Sequence, residues 1–366
     1  MFMQRAIQLA KKGIGHTSPN PSVGAVLVKD GQIVGEGWHK KYGGPHAEVM
    51  AIDKAKFGVQ GATMYVTLEP CCHFGKTPPC TDLLVSSGIR KVVIGMKDSF
   101  PKVYGKGYDI LKKNNIEVEY ISKNSVDYKE INIFMQSYFK WMTTGLPYVT
   151  LKAGVSLDGR VATKTGQSQW ITGEKARKDA RIERSMCDAV LVGSGTVRAD
   201  NPELASHGKF KKKNLLRVII DPTLDLDTNL DVFRDQNVFV VCTNLASEKN
   251  KNKFQKAMVE FKSFGPKKVS LKKLLQYLGK EYNIQHLYVE GGSGTHGYFV
   301  DDALLDPLLV DRVLFYIAPK IIGGVSAVPV VGGRGVGGVD KSLILNTVKT
   351  EMVGEDVKYQ GYKNLY

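Results

Sequence analysis

The side chains best suited to hold a metal lie between residues 46 and 80. His46 stands two residues before Glu48 in GGPHAEVM, and Cys71 and Cys80 fall within TLEPCCHFGKTPPC at 67–80. A histidine and two thiolates make three protein ligands, the number a catalytic zinc takes when its fourth position is left to water. Glu48, next but one to a ligand, would stand beside that water, able to accept its proton and deliver it elsewhere. Cys71 follows a strand-like run, and Cys80 opens a helix-like one, where backbone N–H groups and the helix dipole favour a thiolate. Cys72 adjoins Cys71 and can hardly turn its sulfur to the same ion, so it is expected to pack, with a part as alternative ligand left open. A purely structural zinc would need a fourth protein ligand, His73 or Cys72, and would leave Glu48 idle.

Five cysteines is an odd number, and in a reducing compartment a clustered set binds metal more often than it forms disulfides. Cys187 and Cys242 stand alone in apolar surroundings and read as small buried hydrophobes.

The elements that must carry these residues follow from periodicity. SVGAVLVKDGQIVGEGW alternates β-formers about Asp30-Gly31, a two-residue hairpin signal. HAEVMAIDKAKF has helical spacing, ATMYVTL and KVVIGM read as strands, and CTDLLVSSG as a short helix ending at Gly88. GYDILKKNN, IEVEYI and SVDYKEINIFMQSYFKWMTTG continue as helix, strand and a long closing helix. TTGLP at 143–147 breaks the helical pattern and is the expected linker. A second series follows, with a strand YVTLKAGV, a helix over 173–186, and strands AVLVGSG, LRVIID, NVFVVCT, HLYVEGG and VDRVLFYIAPKII. The chain therefore reads as two successive α/β domains, a number that suits 366 residues of which 43% are hydrophobic.

The net charge of +15, from 51 Lys+Arg against 36 Asp+Glu, favours anionic partners, either nucleic acid or small phosphorylated molecules. GKFKKKN at 208–214 reads as a solvated loop. MFMQRAIQLAKKG reads as an amphipathic helix rather than a leader, and no apolar run approaches the ~18 residues a membrane span needs. No membrane association and a cytoplasmic location are expected.

In the second half two glycine-rich turns follow strands, VLVGSGTVRADNP and LYVEGGSGTHGYF. Backbone N–H groups at such turns bind phosphate. Gly292, Gly294 and Gly297 satisfy G-x-G-x-x-G, yet the next strand ends in Pro319-Lys320 rather than an acidic residue. A phosphate-binding loop is expected there, and a Rossmann dinucleotide site is not.

H-x-E followed by P-C-x-x-C marks the zinc nucleobase deaminases, and here the second gap is longer. HTSPNPSVGAVLV, GGPHAE and TLEPCCHFGKTPPCTD together resemble the deaminase half of the bifunctional riboflavin-biosynthesis deaminase/reductase family. TLKAGVSLDGRVA, SQWITG, VGSGTVRADNPEL and VEGG resemble its reductase half, so that the likeness runs over nearly the whole chain. The resemblance implies an N-terminal cytidine deaminase-like domain, residues 1–145, followed by a dihydrofolate reductase-like α/β domain, residues 146–366.

For the first domain the resemblance implies one Zn2+ per chain on His46, Cys71 and Cys80, catalysis by Glu48, and a phosphoribosylated diaminopyrimidinone contacted by Asn20, His39, His73 and Lys76. Lys76, a flexible cation, is suited to a phosphate. For the second it implies NADPH touched by Ala153, Trp170, Thr196, Asp200 and the loop Gly292, Ser293, Gly294, Thr295, His296, Gly297 and Tyr298. Substrate would meet Ser168, Arg184, Leu204 and Glu290, with Lys152 near its phosphate or ribose. The chain departs from the family pattern where His207 replaces an arginine expected on the substrate phosphate and where Pro222 replaces a small hydroxyl residue; Arg217, Lys209 or Lys211 are candidate substitutes.

The implied partners are small phosphorylated pyrimidines and a second copy of the chain, without nucleic acid. A tRNA-type deaminase would share the zinc site but has no use for a second, cofactor-binding domain. A binding protein with a structural zinc would not need Glu48.

Overall fold

The computed structural model describes all residues except 56, 57, 76, 212 and 364–366. The chain separates into two compact units, one of Met1–Gly145 and one beginning at Leu146.

The first unit runs α1 (Phe2–Lys11), β1 (Gly24–Lys29), β2 (Gln32–Trp38), α2 (Ala47–Asp53), β3 (Thr63–Leu68), α3 (Cys80–Ser86), β4 (Lys91–Met96), α4 (Lys106–Lys113), β5 (Glu117–Tyr120) and α5 (Val126–Thr144). Its sheet has the order β2-β1-β3-β4-β5, antiparallel from β2 to β3 and parallel from β3 to β5. Asp30 and Gly31, with φ of 50° and 75°, make the two-residue turn joining β1 to β2. The inner strands β1, β3 and β4 are largely buried on both faces. One face packs under α2, α3 and α4 through residues such as Ala47, Leu84 and Leu111, and the other under α1 and α5 through Ile7, Ile131 and Met135.

The second unit runs β6 (Tyr148–Ser156), β7 (Arg160–Ala162), α6 (Glu174–Met186), β8 (Ala189–Gly193), α7 (Ser194–Asp200), β9 (Leu216–Ile220), β10 (Val238–Cys242), α8 (Glu248–Lys256), β11 (Glu260–Ser263), α9 (Leu271–Glu281), β12 (His286–Val289), α10 (Ser293–Ala303), β13 (Arg312–Ala318), β14 (Val328–Pro329), β15 (Thr347–Val353) and β16 (Asp356–Tyr362). Nine strands form one sheet in the order β11-β10-β9-β8-β12-β6-β13-β16-β15. It is parallel from β11 through β13 and antiparallel beyond. The central strands are continuously buried and apolar apart from Arg217 in β9, because helices must cover both faces of a parallel sheet.

Several boundaries differ from the sequence expectation. AVLVGSG stops being a strand at Gly193, since Ser194 and Gly195 begin α7, and HLYVEGG stops at Val289. In each case a glycine serves as the N-cap of the helix that follows, Gly193 for α7 and Gly292 for α10. Strands β7, β11, β15 and β16 carry no clear pattern in the sequence. β11 and β15 are edge strands with mostly exposed side chains, so burial imposes no alternation on them. Among the described residues, no helix is long and apolar enough to cross a membrane.

A buried ionic cluster fastens α6 to the antiparallel end of the large sheet. Glu183 accepts from Arg312 at 3.2 Å and from Lys358 at 2.9 Å, and Lys358 also meets Asp179 at 2.8 Å. Burial opposes ionisation of Glu183, but the Arg312 and Lys358 cations outweigh it and hold the carboxyl at about 2. Removing the anion leaves two cations in the interior, at a cost of roughly 3–5 kcal/mol. Glu183→Gln should therefore lower the denaturant midpoint of the second unit's transition. In the parent chain, the stability from this carboxylate is present above its ordinary value of 4.5 and drains as pH falls from there toward about 2. An unchanged midpoint in the variant would refute the assignment.

Candidate active sites

The position of His46 depends on how closely α2 can approach the sheet. A Cβ on Gly37 would meet the Ala47 carbonyl oxygen at 2.3 Å, and one on Gly35 would meet that of Ala51 at 2.1 Å. The two glycines of β2 thus let the helix lie directly on the strand. His46 occupies the N-cap position, and Glu48 lies in the first turn, 4% exposed. Cys71 follows β3 after Glu69-Pro70. The buried Glu69 carboxylate fixes that corner by accepting from Asp98 N at 3.2 Å, Gly105 N at 3.0 Å and Tyr108 N at 3.2 Å. Cys80 is the first residue of α3, and its backbone N–H donates to Cys71 Sγ at 3.3 Å.

These elements bring three donor atoms together. His46 Nδ1 lies 3.3 Å from Cys80 Sγ and 3.4 Å from Cys71 Sγ, and all three fall within 4.8 Å of one another. Bonds of about 2.0–2.3 Å to a tetrahedral zinc place its ligands roughly 3.3–3.8 Å apart, so the set fits that ion. His46 Nε2 faces Thr77 Oγ1 at 3.4 Å, leaving Nδ1 to the sulfurs. The Cys71 thiol is drawn down to about 4 by the Cys80 thiol and, against burial, by His46, whereas Cys80 is pushed up by its bond to Cys71 and by burial. Burial raises Glu48 as well. Cys72 turns aside, with its sulfur 3.5 Å from the Lys102 carbonyl oxygen, and is not part of the three-donor cluster.

A cavity of about 390 Å3 opens beside the cluster and is lined by Asn20, His39, His46, Glu48, Cys71 and His73. Asn20 Nδ2 donates to His39 Nε2 at 3.1 Å, and His39 Nδ1 donates to the Pro45 carbonyl at 2.9 Å. The Nδ1 of His73 is buried without a protein partner, its ring against Phe100. Lys76 lies outside the described residues. Sequence reasoning missed Asp98, which lines the same cavity just beyond β4. Burial raises its carboxyl to about 6, opposed by bonds from Phe100 N and the Tyr138 hydroxyl. Its position past the carboxyl end of a parallel strand was the available signal.

The second unit has a cleft of about 790 Å3 across the carboxyl ends of its parallel strands. Lys152 and Ala153 line it from β6, Thr196 and Asp200 from α7, and Glu290, Gly292, Ser293, Gly294, Thr295 and Tyr298 from the region after β12; Ser168 completes the expected residues found there. Glu290 is opposed by burial yet kept below the ordinary carboxylate range by Arg184, at 3.2 Å, and by Lys152, at 3.9 Å.

Other expected residues lie apart from the lining. Arg184 reaches Glu290 and the Ala205 carbonyl from behind, and Leu204 is buried. His207 donates its backbone N–H to Ser185 Oγ at 2.8 Å, and burial with Arg184 and Arg181 lowers its imidazole. Trp170 is exposed under the Arg177 guanidinium. His296 is fully buried, with Nδ1 3.1 Å from the Val330 carbonyl. Gly297 answers a packing need, since a Cβ there would meet the Gly332 backbone at 2.3 Å. Of the candidate substitutes for the missing arginine, Arg217 is committed to Asp235, and Lys209 lies over the Phe210 ring. The lining also holds Lys267 and Lys268, which sat unremarked among many exposed lysines.

Two family models match the chain, the cytidine and deoxycytidylate deaminase zinc-binding region over residues 1–96 and the RibD C-terminal domain over 147–359. Riboflavin biosynthesis protein RibD of Aquifex aeolicus is 42% identical over 97% of this chain and 96% of its own length. The chain belongs to the RibD family. RibD of Bacillus amyloliquefaciens is 40% identical over 98% of this chain and 94% of its own length. Among solved structures, Acinetobacter baumannii RibD superposes with a TM-score of 0.85 at 36% identity, covering 99% of this chain and 97% of that one. A Thermotoga maritima diaminohydroxyphosphoribosylaminopyrimidine deaminase/5-amino-6-(5-phosphoribosylamino)uracil reductase gives 0.82 at 36% identity, with the same coverage.

The seating of α2 is open to test. Gly37→Ala forces helix and strand apart, which should cost about 1–3 kcal/mol by overpacking and shift His46 out of the three-donor cluster. Denaturation and metal titration of the variant check this; wild-type midpoint and metal affinity together would show that the contact is not needed.

Proposed function

We propose that the first unit deaminates a phosphoribosylated diaminopyrimidinone with a zinc ion held by His46, Cys71 and Cys80, and that the second unit reduces the ribosyl chain of the product with NADPH. The chain is a bifunctional riboflavin-biosynthesis enzyme, a deaminase joined to a reductase. The observation that carries the zinc assignment is the convergence of one imidazole and two thiol donors beside the buried Glu48 in a single cavity.

Zinc, when bound, supplies a Lewis acid that makes water nucleophilic at neutral pH. The remaining steps fall to the chain. Glu48 takes one proton from the attacking water and delivers it to the ring nitrogen, then takes the second from the hydroxyl so formed and delivers it to the leaving amine, so that the C–N bond breaks as the carbonyl forms. Asn20, held by His39, offers its amide to the pyrimidine. The unpartnered His73 Nδ1 is the available hydrogen-bonding group for the polar end of the substrate.

In the second unit NADPH, when bound, supplies a hydride. The backbone N–H groups of the turns after β8 and β12 suit its phosphates. Lys152 and Glu290, the latter braced from behind by Arg184, would hold the substrate so that its ribosyl C1′ meets the nicotinamide; little acid–base machinery is required beyond this alignment.

Glu48→Ala should keep stoichiometric zinc and lose ammonia release by about 10²–10⁴-fold, whereas Cys71→Ser, Cys80→Ser and His46→Ala should lose the metal and Cys72→Ser should retain it. Metal analysis beside an ammonia assay separates these outcomes, and undiminished turnover in Glu48→Ala would remove the proton-transfer role. For the second unit, adding deaminated substrate to the purified chain should consume the reduced-nicotinamide absorbance. No oxidation by any phosphoribosyl pyrimidine would dismiss the reductase reading, with His207, in place of the family's arginine, the first residue to suspect.

A further inference from the structure

Charge is distributed unevenly around the cleft of the second unit. Lys152 on β6 and Arg184 on α6 are balanced by Glu290, just after β12. From the opposite edge of the parallel sheet, the loop after β11 brings Lys267 and Lys268 into the lining. Lys268 is paired with Asp302 at 2.8 Å and lies over the Tyr298 ring at 4.2 Å. Arg198, on α7, is paired with Asp225. Lys267 is exposed, and among the described residues no carboxylate lies within ion-pairing distance of it.

The loop that presents Lys267 is closed. Ser270 N donates to the Phe264 carbonyl at 2.9 Å, Asn244 N donates to that of Gly265 at 3.0 Å, and the Tyr298 hydroxyl donates to that of Val269. A free ammonium is thus held at the cleft by structured backbone, where an anion can meet it without first ordering the chain.

We propose that Lys267 recognises the 2′-phosphate of the adenosine half of NADPH and thereby sets the preference for NADPH over NADH. The proposal rests on the reductase reading above. Hydride transfer requires the nicotinamide to lie against the substrate, whose polar anchors Lys152 and Glu290 line the cleft at β6 and just after β12. The glycine turns after β12 and β8 come next along the sheet and suit the pyrophosphate. The adenosine is left to extend past β9 toward the loop after β11. At about 4.8 Å per strand, β6 to β9 spans roughly 14 Å, the scale of an extended dinucleotide. At the end of β9 stands Pro222, which has neither a hydroxyl nor a backbone N–H to donate to a phosphate. Lys267, from the loop after β11, offers a flexible point cation instead, a role lysine fills well at phosphates.

The test uses the full zinc-loaded chain and its Lys267→Ala and Lys267→Arg variants. Calorimetric titration with 2′,5′-ADP and with 5′-AMP is compared with KM for NADPH, NADH and the phosphorylated substrate. The parent chain should prefer 2′,5′-ADP by about 10–100-fold, the range of one charge-assisted hydrogen bond. Lys267→Ala should lose most of that preference by weakening 2′,5′-ADP and NADPH, with 5′-AMP and NADH unaffected, and Lys267→Arg should keep it. Equal weakening of both nucleotides, an intact preference in Lys267→Ala, or a change confined to the KM of the phosphorylated substrate would overturn the proposal. If the parent chain bound 2′,5′-ADP and NADPH no more than buffer, the reductase reading itself would fall, and Lys267 with it.

Discussion

Parallel strands buried on both faces are the constraint on which both sites depend. Each such strand must be followed by a crossover that returns along one face of the sheet, so the loops at the carboxyl ends collect along one edge. In the first unit that edge receives Cys71 after β3 and Asp98 after β4. In the second it receives Gly193 to Thr196 after β8, Pro222 after β9, Lys267 after β11 and Glu290 to Thr295 after β12. Residues far apart in the chain become neighbours because sheet hydrogen bonding fixes where their strands end.

Charge is handled differently in the framework and at the sites. Glu183 lies between Arg312 and Lys358, Glu69 accepts three backbone N–H groups, and Asp158 accepts two, from Ile322 and Gly323. Each of these carboxylates is satisfied by its own fold. Around the two cavities some groups are left unanswered, the His73 ring nitrogen in one and the Lys267 ammonium in the other. Polar groups that the protein does not satisfy are available to a ligand, which is the physical sense in which these cavities are prepared for polar, phosphorylated molecules.

Much of the framework was legible from local pattern. The alternation about Asp30-Gly31 specified a hairpin, and helical spacing after His46 and from Cys80 placed those two residues at helix starts, as observed. The edge strands β11 and β15 were not legible, because exposed strands carry no burial pattern. The glycine motif at 292–297 was ambiguous for another reason. The sequence shows where glycine stands but not what approaches it, and Gly297 turned out to face the Gly332 backbone, whereas Gly292 and Gly294 line the cleft.

What the sequence determined by itself was the donor set: a histidine, a glutamate two residues on, and two cysteines at the starts of a turn and a helix, whose chemistry follows from side-chain type. Tertiary structure decided which residues share a cavity. Gly35 and Gly37 set the depth of α2 against the sheet, Asp98 joined the first cavity from a separate strand, and Lys267 reached the second by way of an edge strand with no pattern of its own. Those contacts depend on strand order and on close backbone approach, and neither is a property of any local stretch of chain.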